Sequence, residues 1–362
     1  MKTIDLSDRR NMFYWQTNRP LSAVETQKVF MNRHGKISEE TIRQIVAKGM
    51  SKAGFTGNDT EAENVSPIVK QGSVNTVVPV ILKSGKKIIL RIHPEGVKNG
   101  YFWVEKVATS LALKEGVPTY ETIYIDDSQI DIPFDFMIMT HVNGVPMQTL
   151  KPLDQALEKK LVKETGRYAA LIHKIKPPGF GFFLNDKAKQ LNNLIGQYFS
   201  FKEHIYAALP IDLQFLVDHK VLDIDQNKRI EMLFVKSKAL MVCKKGSLIH
   251  NDIADWNEIT DGKSITGIMD WDECFSGDPM MELAAYNLFF GEPRISWYKE
   301  GYQEISNLEN NEDKFQLFKL RYLISKMHLR TKRSEIDPSP ILKQNIVRGM
   351  QAMQEVFNYF KL

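Results

Sequence analysis

The first clear pattern along the chain is a pair of short apolar runs. Residues 75–82 and 87–92 are rich in aliphatic side chains and are separated by Ser84-Gly85, a dipeptide typical of tight turns. This pattern predicts a β-hairpin. Pro79 interrupts the first run and lacks a backbone N–H. We therefore expect an edge position or a bulge at that point of the hairpin.

Helical periodicity is found on both sides of this hairpin. Residues 37–50 carry an apolar stripe behind Ser38, a residue that caps helix N-termini. The pattern predicts an amphipathic helix packed against the hairpin. Residues 157–175 repeat the helical pattern over a longer stretch, and residues 185–245 predict further helices.

Polar side chains follow two later apolar strands. Asp252 comes after Leu248-Ile249, Asn257 lies five residues further on, and Asp270 follows the apolar run 265–269. Such a β-loop-β-β order would place all three side chains at one sheet edge. A carboxylate that accepts a hydroxyl proton and two oxygen ligands for magnesium are the groups that phosphoryl transfer requires. The alternative is that all three are solvated groups in surface loops.

The same residues carry a resemblance to a known family. His250-Asn-Asp252 to Asn257, Ile268-Met-Asp270-Trp-Asp272 and Gly277-Asp278-Pro279 resemble the HGDxxxxN, IDW and GDP motifs of the aminoglycoside phosphotransferase and choline kinase family. The resemblance covers roughly residues 65–290. It implies a bilobal, protein-kinase-like α+β fold, with a small lobe built on an antiparallel sheet and a larger, mainly helical lobe.

The family also implies roles for individual residues. Asp252 would be the catalytic base, and Asn257 and Asp270 would hold the Mg²⁺ that accompanies ATP or GTP. Arg91, at the end of the second hairpin strand, would contact the nucleotide phosphates with its planar guanidinium. Glu105, on the following helix, would hold Arg91 in place. Either of these two residues taken alone is more often a surface group.

Two further segments are predicted to contact the nucleotide. The turn Gln71-Gly-Ser-Val-Asn-Thr76 would lie over the phosphates, with Ser73 and Asn75 as contacts. The apolar strand that ends in Thr140-His-Val142 resembles the family's hinge between the lobes. Backbone groups near Thr140 and Val142 would hydrogen-bond the purine there.

Chain length agrees with this division into lobes. The 362 residues exceed the usual size of one core. The resemblance divides them into an N-terminal helical extension (1–64), a nucleotide-binding lobe (65–140) and a second lobe (141–362) that contains the insertion 185–245.

The hydrophobic fraction of 43% and charged fraction of 25% are typical of soluble globular proteins. Two cysteines exclude a disulfide framework. The N-terminus lacks the apolar core of a signal peptide, and no apolar run reaches membrane-spanning length, so we expect a cytoplasmic protein with no membrane partner.

Charge distribution is the sequence's clue to the acceptor. Between Gly246 and Asp313 there are fifteen Asp or Glu residues against three Lys or Arg residues, whereas the whole chain carries a formal charge of +4. Such a segment attracts cations. We therefore expect a cationic small-molecule acceptor, bound by Asp255, Asp272 and Glu273, although a solvated acidic face would show the same count. The basic cluster 328–333 lacks interleaved aromatic residues, so we expect no nucleic-acid partner.

Several functions remain open at this point. An aminoglycoside or aminocyclitol antibiotic fits a cationic acceptor, and Asp270-Trp-Asp-Glu followed by Tyr286-Asn-Leu-Phe-Phe290 resembles hygromycin-type phosphotransferases. A metabolite kinase for a sugar or a choline-like amine is the alternative. Arg91 in the position of a lysine also permits a catalytically silent binding protein. A protein-serine kinase is disfavoured because no Ala-Pro-Glu segment follows Asp270. Asn251 in place of glycine, and Ala254-Asp-Trp256 in place of His-Pro-Gly, depart from the family pattern.

Overall fold

The computed structural model describes residues 15–16, 22–32, 37–69, 75–95, 98–335, 337 and 339–362. The chain forms two compact units. The first comprises Met1–Ser110 and Thr119–Asn143, and the second comprises Leu111–Pro118 and Gly144–Leu362. The main division therefore lies between Asn143 and Gly144, three residues beyond the predicted end of the nucleotide-binding lobe.

A five-stranded antiparallel sheet is the centre of the first unit. Its strands, in spatial order, are β2 (Ala62–Val65), β3 (Thr76–Leu82), β4 (Lys87–Ile92), β7 (Phe136–Thr140) and β6 (Thr122–Asp126). A two-stranded ribbon pairs β1 (Trp15–Gln16) with β5 (Lys98–Asn99). The unit also contains the helix α1 (Ala23–Met31) and a 3₁₀ turn, Gly57–Asp59.

The predicted hairpin is β3–β4, in register from Thr76↔Ile92 to Ile81↔Lys87. Gly85 supplies the positive φ of +82° that the turn needs. The expected edge position of Pro79 is wrong, because β3 lies inside the sheet between β2 and β4. The carbonyl of Pro79 accepts from Ser66 N, one residue beyond the end of β2. Proline has no backbone N–H, and at Pro79 this missing donor faces a point where β2 has already ended, so no hydrogen bond of the sheet is lost. The expected bulge lies in β2 instead of β3.

One apolar core joins the sheet to the predicted N-terminal helix, α2 (Glu39–Lys52). The expected cap is confirmed, since Ser38 Oγ accepts from Thr41 N at 3.1 Å. Ile42, Ile45 and Val46 are buried in the same cluster as the aliphatic side chains of β3 and β4. Residues 37–52 are therefore part of this unit's core instead of an appendage to it.

The helix α3 (Phe102–Lys114) carries Glu105. Asn99 caps its first turn, because its side-chain oxygen accepts from Tyr101 N at 2.7 Å and from Phe102 N at 2.6 Å. These bonds satisfy amide groups that have no partner inside the helix. The cap thereby sets where the helix begins and how Glu105 is presented.

Helices dominate the second unit. In chain order they are α4 (Gln155–Ile172), α5 (Asn185–Leu191), α6 (Phe201–Asp218), α7 (Ile224–Lys236), α8 (Met280–Phe290), α9 (Arg294–Gln303), α10 (Glu312–Ser334) and α11 (Pro340–Phe360). Three 3₁₀ turns, Met147–Leu150, Lys238–Met241 and Trp271–Glu273, complete the helical elements. The predicted insertion 185–245 is largely helical, as expected. No helix among the described residues is long and apolar enough to span a membrane.

Two small antiparallel sheets carry the polar segments of this unit. One has the order β10 (Gly196–Tyr198), β9 (Phe180–Phe183), β14 (Phe275–Gly277), β11 (Ser247–Ile249), and the other has the order β13 (Ile265–Ile268), β12 (Glu258–Thr260), β8 (Val145–Pro146). The strand before Asp252 and the strands after it therefore belong to different sheets. The expectation of a single sheet edge is wrong, and loop contacts must bring the three polar residues together.

Small residues allow α4 and α9 to pack closely. A methyl group on Gly166 of α4 would overlap the backbone of Tyr298, and one on Gly301 of α9 would overlap the backbone of Lys163. Only glycine fits at these two crossing points. The close crossing keeps α4 and α9 as a rigid support beside the segment that bears Asp252.

Candidate active site

The loop between β11 and β12 brings Asp252 and Asn257 together. The side-chain nitrogen of Asn257 donates to the Asp252 carboxylate at 2.8 Å and to the Asp252 backbone carbonyl at 2.9 Å. Because both amide hydrogens are used in this way, the amide oxygen of Asn257 points away from Asp252. A hard oxygen donor is therefore presented beside the carboxylate, as a magnesium ligand requires.

Backbone hydrogen bonds place Asp270 next to this loop. The amide of Met269 donates to the carbonyl of Asn257 at 2.8 Å, and His250 Nε2 lies 3.0 Å from the carbonyl of Met269. Asp270 itself has φ +64°, a left-handed conformation that few residues other than glycine, Asn and Asp adopt. Backbone held in this region is common at functional sites. The structure thus brings the three predicted residues into one cluster.

His250 orders the loop as a neutral side chain. Burial lowers the pKa of its imidazole below the usual value. Since a carbonyl only accepts, Nε2 carries the proton that binds Met269 O, which leaves Nδ1 to accept from Asp252 N at 3.3 Å. The ring also packs edge-on against the buried Trp271 at 4.6 Å. His250 therefore links the segments that carry Asp252 and Asp270.

Glu282, in the first turn of α8, is a residue that the sequence reading missed. Its carboxylate accepts from His250 N at 2.7 Å and from Asn251 N at 2.9 Å. Its side chain is 1% exposed, and His173 Nε2 lies 3.6 Å away. Two charge-assisted bonds to consecutive amides hold the loop backbone in place. The available signal was an acid one turn after Gly277-Asp278-Pro279.

Asn251 explains how the chain tolerates the loss of the family's glycine. Its φ of +72° is left-handed, and asparagine adopts that region more readily than most residues. Its side-chain nitrogen donates to Glu273 at 3.2 Å. Lys326 of α10 binds the same oxygen of Glu273 at 2.6 Å. Glu273 was predicted to bind the acceptor, but its carboxylate already holds the loop and a lysine that the sequence reading also missed.

Asp255 was predicted to bind the acceptor and instead lies in a buried ion-pair cluster. It is 1% exposed, and both of its oxygens bind Arg294, at 2.6 and 3.1 Å. The ammonium group of Lys151 contacts the same carboxylate. These cations occupy the carboxylate, so Asp255 anchors the loop to α9 and is not available to an acceptor. Asp272 lies half-buried in the 3₁₀ turn after Asp270.

Part of the acidic surplus has cationic partners from other parts of the chain. Six of the fifteen acids between Gly246 and Asp313 pair with cations outside that segment. These cations are Lys151, Lys159, Lys163, Arg167, Lys314 and Lys326. Paired charges cancel at a distance, so the surplus overstates the field of the folded protein.

The environment of Asp252 makes its carboxylate a stronger base than a solvated aspartate. Burial raises the pKa of this group well above its ordinary value, and the nearby Glu273 and Asp270 carboxylates raise it further. Lys326 opposes the shift by stabilising the ionised form. The direction is that expected of a proton acceptor, because a raised pKa increases proton affinity.

The first unit places Arg91 and Glu105 in contact, as the resemblance implies. Arg91 Nη1 lies 2.6 Å from Glu105 Oε2, and both side chains are buried. The hydroxyl of Tyr120 donates to the same Glu105 oxygen. The guanidinium also lies 5.8 Å from the ring centre of Phe102. Tyr120 and Phe102 are positioning residues that the sequence reading missed.

The predicted phosphate-binding turn is described only at its end. Ser73 lies outside the described residues. Asn75 is 5% exposed, and its side chain donates to the Tyr101 hydroxyl at 3.1 Å and lies 2.9 Å from His93 Nδ1. Burial lowers the pKa of His93 to about 3, so this ring is neutral. The Asn75 side chain is therefore engaged by Tyr101 and His93 and is not available for the predicted nucleotide contact.

Only part of the predicted purine contact fits the structure. The amide of Thr140, the last residue of β7, donates to the carbonyl of Glu121 at 2.9 Å, and its hydroxyl accepts from Glu121 N at 2.9 Å. The Thr140 amide is thus committed to the sheet and is not the predicted purine donor. Val142 lies beyond the strand in irregular backbone and is half-buried.

Comparison with known proteins agrees with this geometry. Residues 67–311 match the model of the phosphotransferase enzyme family that includes the aminoglycoside phosphotransferases. The chain belongs to this family. It is therefore a phosphotransferase, and the resemblance in the motifs around Asp252, Asp270 and Asp278 is confirmed. Lys326 lies beyond the matched region, on α10. No curated protein is significantly similar to this chain in sequence.

Solved structures share the fold at low sequence identity. A thermostable mutant of aminoglycoside phosphotransferase APH(4)-Ia, in a ternary complex with AMP-PNP and hygromycin B, has a TM-score of 0.62 at 16% identity, over 88% of this chain and 98% of that one. A candidate aminoglycoside phosphotransferase from Ralstonia eutropha has a TM-score of 0.64 at 14% identity, over 90% and 98%. A candidate fructosamine-3-kinase from Thermobifida fusca has a TM-score of 0.58 at 14% identity, over 88% and 100%. The predicted protein-kinase-like α+β fold is confirmed.

Proposed function

We propose that this phosphotransferase moves the γ-phosphoryl group of ATP or GTP to a hydroxyl of a small molecule. The observation that carries the proposal is the cluster in which Asn257 orients the Asp252 carboxylate and Asp270 is bonded through its neighbour to the same loop. The structural neighbour complexed with AMP-PNP and hygromycin B supports a nucleotide donor and a hydroxylated acceptor.

Asp252 would receive the proton of the attacking hydroxyl. Its carboxylate is held by two donors, Asn257 Nδ2 at 2.8 Å and Trp256 Nε1 at 3.3 Å. These bonds fix the direction in which its lone pairs face the acceptor. Because phosphoryl transfer depends mainly on positioning and charge neutralisation, the fixed orientation of the base contributes more to the rate than its basicity does.

The donor set of the cluster fits Mg²⁺. The amide oxygen of Asn257 and the carboxylate of Asp270 are hard oxygen ligands, and the left-handed backbone of Asp270 directs it beside the loop. No group of three or more His, Cys, Asp or Glu suited to a metal is present among the described residues. Magnesium in kinases is typically held by one or two protein groups together with substrate phosphates. Bound there, the ion would neutralise charge on the nucleotide phosphates.

The first unit would supply the nucleotide contacts. Arg91 would bind phosphate oxygens through its planar guanidinium, and Glu105 would fix the orientation of that group. Val142 would offer backbone groups to the purine. Ser73 would contribute from the turn that lies outside the described residues.

We propose an aminoglycoside or aminocyclitol as the acceptor class. Hygromycin B in the complex of a structural neighbour supports this choice. Asp272, half-buried in the 3₁₀ turn after Asp270, would be the member of the predicted acidic set that contacts the acceptor. A sugar or a choline-like amine of metabolism is the second candidate acceptor, and the candidate fructosamine-3-kinase among the structural neighbours supports a sugar-derived one. A catalytically silent role is disfavoured because Asp252, Asn257 and Asp270 are all present in the cluster.

A transfer assay with labelled γ-phosphate tests this function. The panel contains hygromycin B and other aminoglycosides, fructosamines, choline and neutral sugars, each with ATP and with GTP. We expect transfer to an amine-bearing polyol, with an acceptor KM that rises with salt, because the Debye length shrinks from about 10 Å at 0.1 M to about 3 Å at 1 M. Transfer to neutral sugars alone would exclude a cationic acceptor. The absence of transfer to every alcohol would exclude the function itself.

The buried Arg91–Glu105 pair gives a prediction for the nucleotide step. Glu105→Gln replaces a charge-assisted bond by a neutral one, a loss of about 1 kcal/mol or more in the orientation of Arg91. We expect the nucleotide KM to rise roughly 5- to 10-fold, while the acceptor KM stays near its wild-type value. Steady-state kinetics with each substrate varied in turn would measure both.

The matched control is an exposed ion pair of the same unit. Lys83 and Glu61 pair at the surface, with side chains 51% and 54% exposed. Such pairs contribute little, so Lys83→Gln should leave both KM values unchanged. A wild-type nucleotide KM in folded Glu105→Gln would show that Arg91 is not oriented by this pair.

A further inference from the structure

Trp256 is an exposed aromatic residue beside the proposed base. It lies between Asp255 and Asn257, and its indole Nε1 donates to Asp252 Oδ2 at 3.3 Å. The residue is 41% exposed. An aromatic ring is usually covered by protein because its burial is favourable. Here a large apolar face remains open within hydrogen-bond distance of the carboxylate that would receive the acceptor's proton.

The other side of the indole is packed. The Phe289 ring meets it edge-on at 5.2 Å, and the Phe290 ring lies 6.2 Å away. Both residues belong to the end of α8. The guanidinium of Arg294 lies 4.0 Å from the ring centre of Phe290 and supports that ring in turn. Trp256 is therefore supported on one side by the packed rings of α8, and the rest of its indole is exposed to solvent.

The side chains on either side of Trp256 in the chain hold the loop backbone in place. On one side, Asp255 is bound by Arg294 and Lys151. On the other, Asn257 is bonded to Asp252. A rigid aromatic surface costs little conformational entropy when a ligand covers it. The loop is therefore suited to receive a flat apolar surface without rearrangement.

We propose that Trp256 is the platform on which the acceptor rests, and that the reacting hydroxyl is carried by a saturated ring whose C–H face lies on the indole. This inference rests on the proposed function and names the shape of its acceptor. A hydroxyl that reaches Asp252 lies within one hydrogen bond of a carboxylate that the indole N–H also contacts. The skeleton of such a molecule must therefore lie close to the indole.

The ring shape follows from what the platform offers. The axial C–H bonds of a pyranose or a cyclitol form a flat apolar face, and its hydroxyls project from the edge. A protonated amine on the same ring would gain a cation–π attraction to the indole. An open-chain polyol with the same number of carbon, nitrogen and oxygen atoms has no such face and would have to lose rotational freedom to present one.

Matched pairs of cyclic and open-chain probes test the platform. The pairs are glucosamine with glucosaminitol and myo-inositol with glucitol, and 2-deoxystreptamine is added as a cyclic diamine. For each probe, KM and kcat are measured in wild type, Trp256→Phe and Trp256→Ala. We expect Trp256→Ala to raise the KM of the cyclic probes about 10-fold, with a smaller rise in Trp256→Phe and no change in the nucleotide KM. The KM of the open-chain probes should change little in Trp256→Ala.

The control variant is Phe199→Ala. Phe199 is an aromatic residue of the same unit that is 95% exposed and lies just before α6. Its removal should change none of these constants. Loss of the indole N–H bond to Asp252 would lower kcat for cyclic and open-chain acceptors alike, so KM is the constant that tests the platform. An equal rise in KM for cyclic and open-chain probes in Trp256→Ala would overturn it. Equal KM values in wild type and Trp256→Ala would overturn it as well.

Direct binding separates this inference from the proposed reaction. Calorimetric titration of each probe in the presence of ADP reports on the platform whether or not phosphate is transferred. Tighter binding of cyclic than of open-chain probes, abolished in Trp256→Ala, supports the platform even if no acceptor is phosphorylated. Wild-type protein that binds no cyclic probe more tightly than its open-chain partner would overturn it.

Discussion

Asp252→Asn is expected to lower turnover of the phosphotransferase by about 100-fold or more, because general-base catalysis is typically worth 10²–10⁴. A 100-fold loss corresponds to about 2.7 kcal/mol of activation free energy. Asparagine has nearly the same shape, and its side-chain oxygen can still accept from Asn257 Nδ2, which binds the aspartate at 2.8 Å in the wild-type protein. We therefore expect nucleotide affinity and thermal stability to stay close to wild type. Single-turnover transfer with saturating nucleotide measures the chemical step alone.

Asp186 offers a matched control for this substitution. It is an exposed acid in the first turn of α5, within the insertion. Asp186→Asn removes the same charge from the same unit and should leave turnover unchanged. If folded Asp252→Asn turns over at the wild-type rate, Asp252 has no part in proton transfer.

Substitution of Asp270 is expected to have the second large effect, on nucleotide affinity. Replacing it should reduce magnesium-dependent nucleotide affinity more than replacing Asn257 does, because a carboxylate neutralises the charge of the ion as well as binding it. Changes in groups that merely support a metal ligand already cost 10- to 100-fold in affinity, so we expect the loss of this ligand to cost on the order of 100-fold. Calorimetry with ADP across a magnesium titration would measure it.

The choice of substitution matters at Asp270. Its φ of +64° strains an alanine, whereas asparagine tolerates that region. Asp270→Asn therefore removes the charge without adding backbone strain, and Asp270→Ala removes both the charge and the ligand. Both variants should lose magnesium dependence, and nucleotide binding without the ion should change little. Wild-type magnesium dependence in Asp270→Asn would contradict the ligand assignment.

Features set by neighbouring residues were predicted well from the sequence. The hairpin β3–β4 follows from aliphatic runs around Ser84-Gly85, and the start of α2 follows from the capping hydroxyl of Ser38. The contact between Asp252 and Asn257 has a similar origin. A loop of five residues can turn back on itself, so the spacing of Asp252 and Asn257 in the sequence is enough to predict that their side chains meet.

Charge was interpreted less well, for a physical reason. The sequence shows which acids are present in a segment but not which cations fold against them. Asp255 is bound by Arg294, thirty-nine residues away, and Glu273 by Lys326, fifty-three residues away. Two residues predicted to bind a cationic acceptor are therefore already neutralised by the protein. The same holds for Asn75, because the sequence around it does not show that its side chain binds His93 and Tyr101.

The sequence by itself determined the family, the α+β class and the polar residues that meet around Asp252, because these depend on short intervals and local conformational preference. Tertiary structure alone decided which polar groups are occupied. It committed Asp255 and Glu273 to ion pairs, placed β11 and β12 in different sheets, and left Trp256 open beside Asp252. The reason is that burial and pairing depend on residues distant along the chain, which meet only when their helices and strands pack.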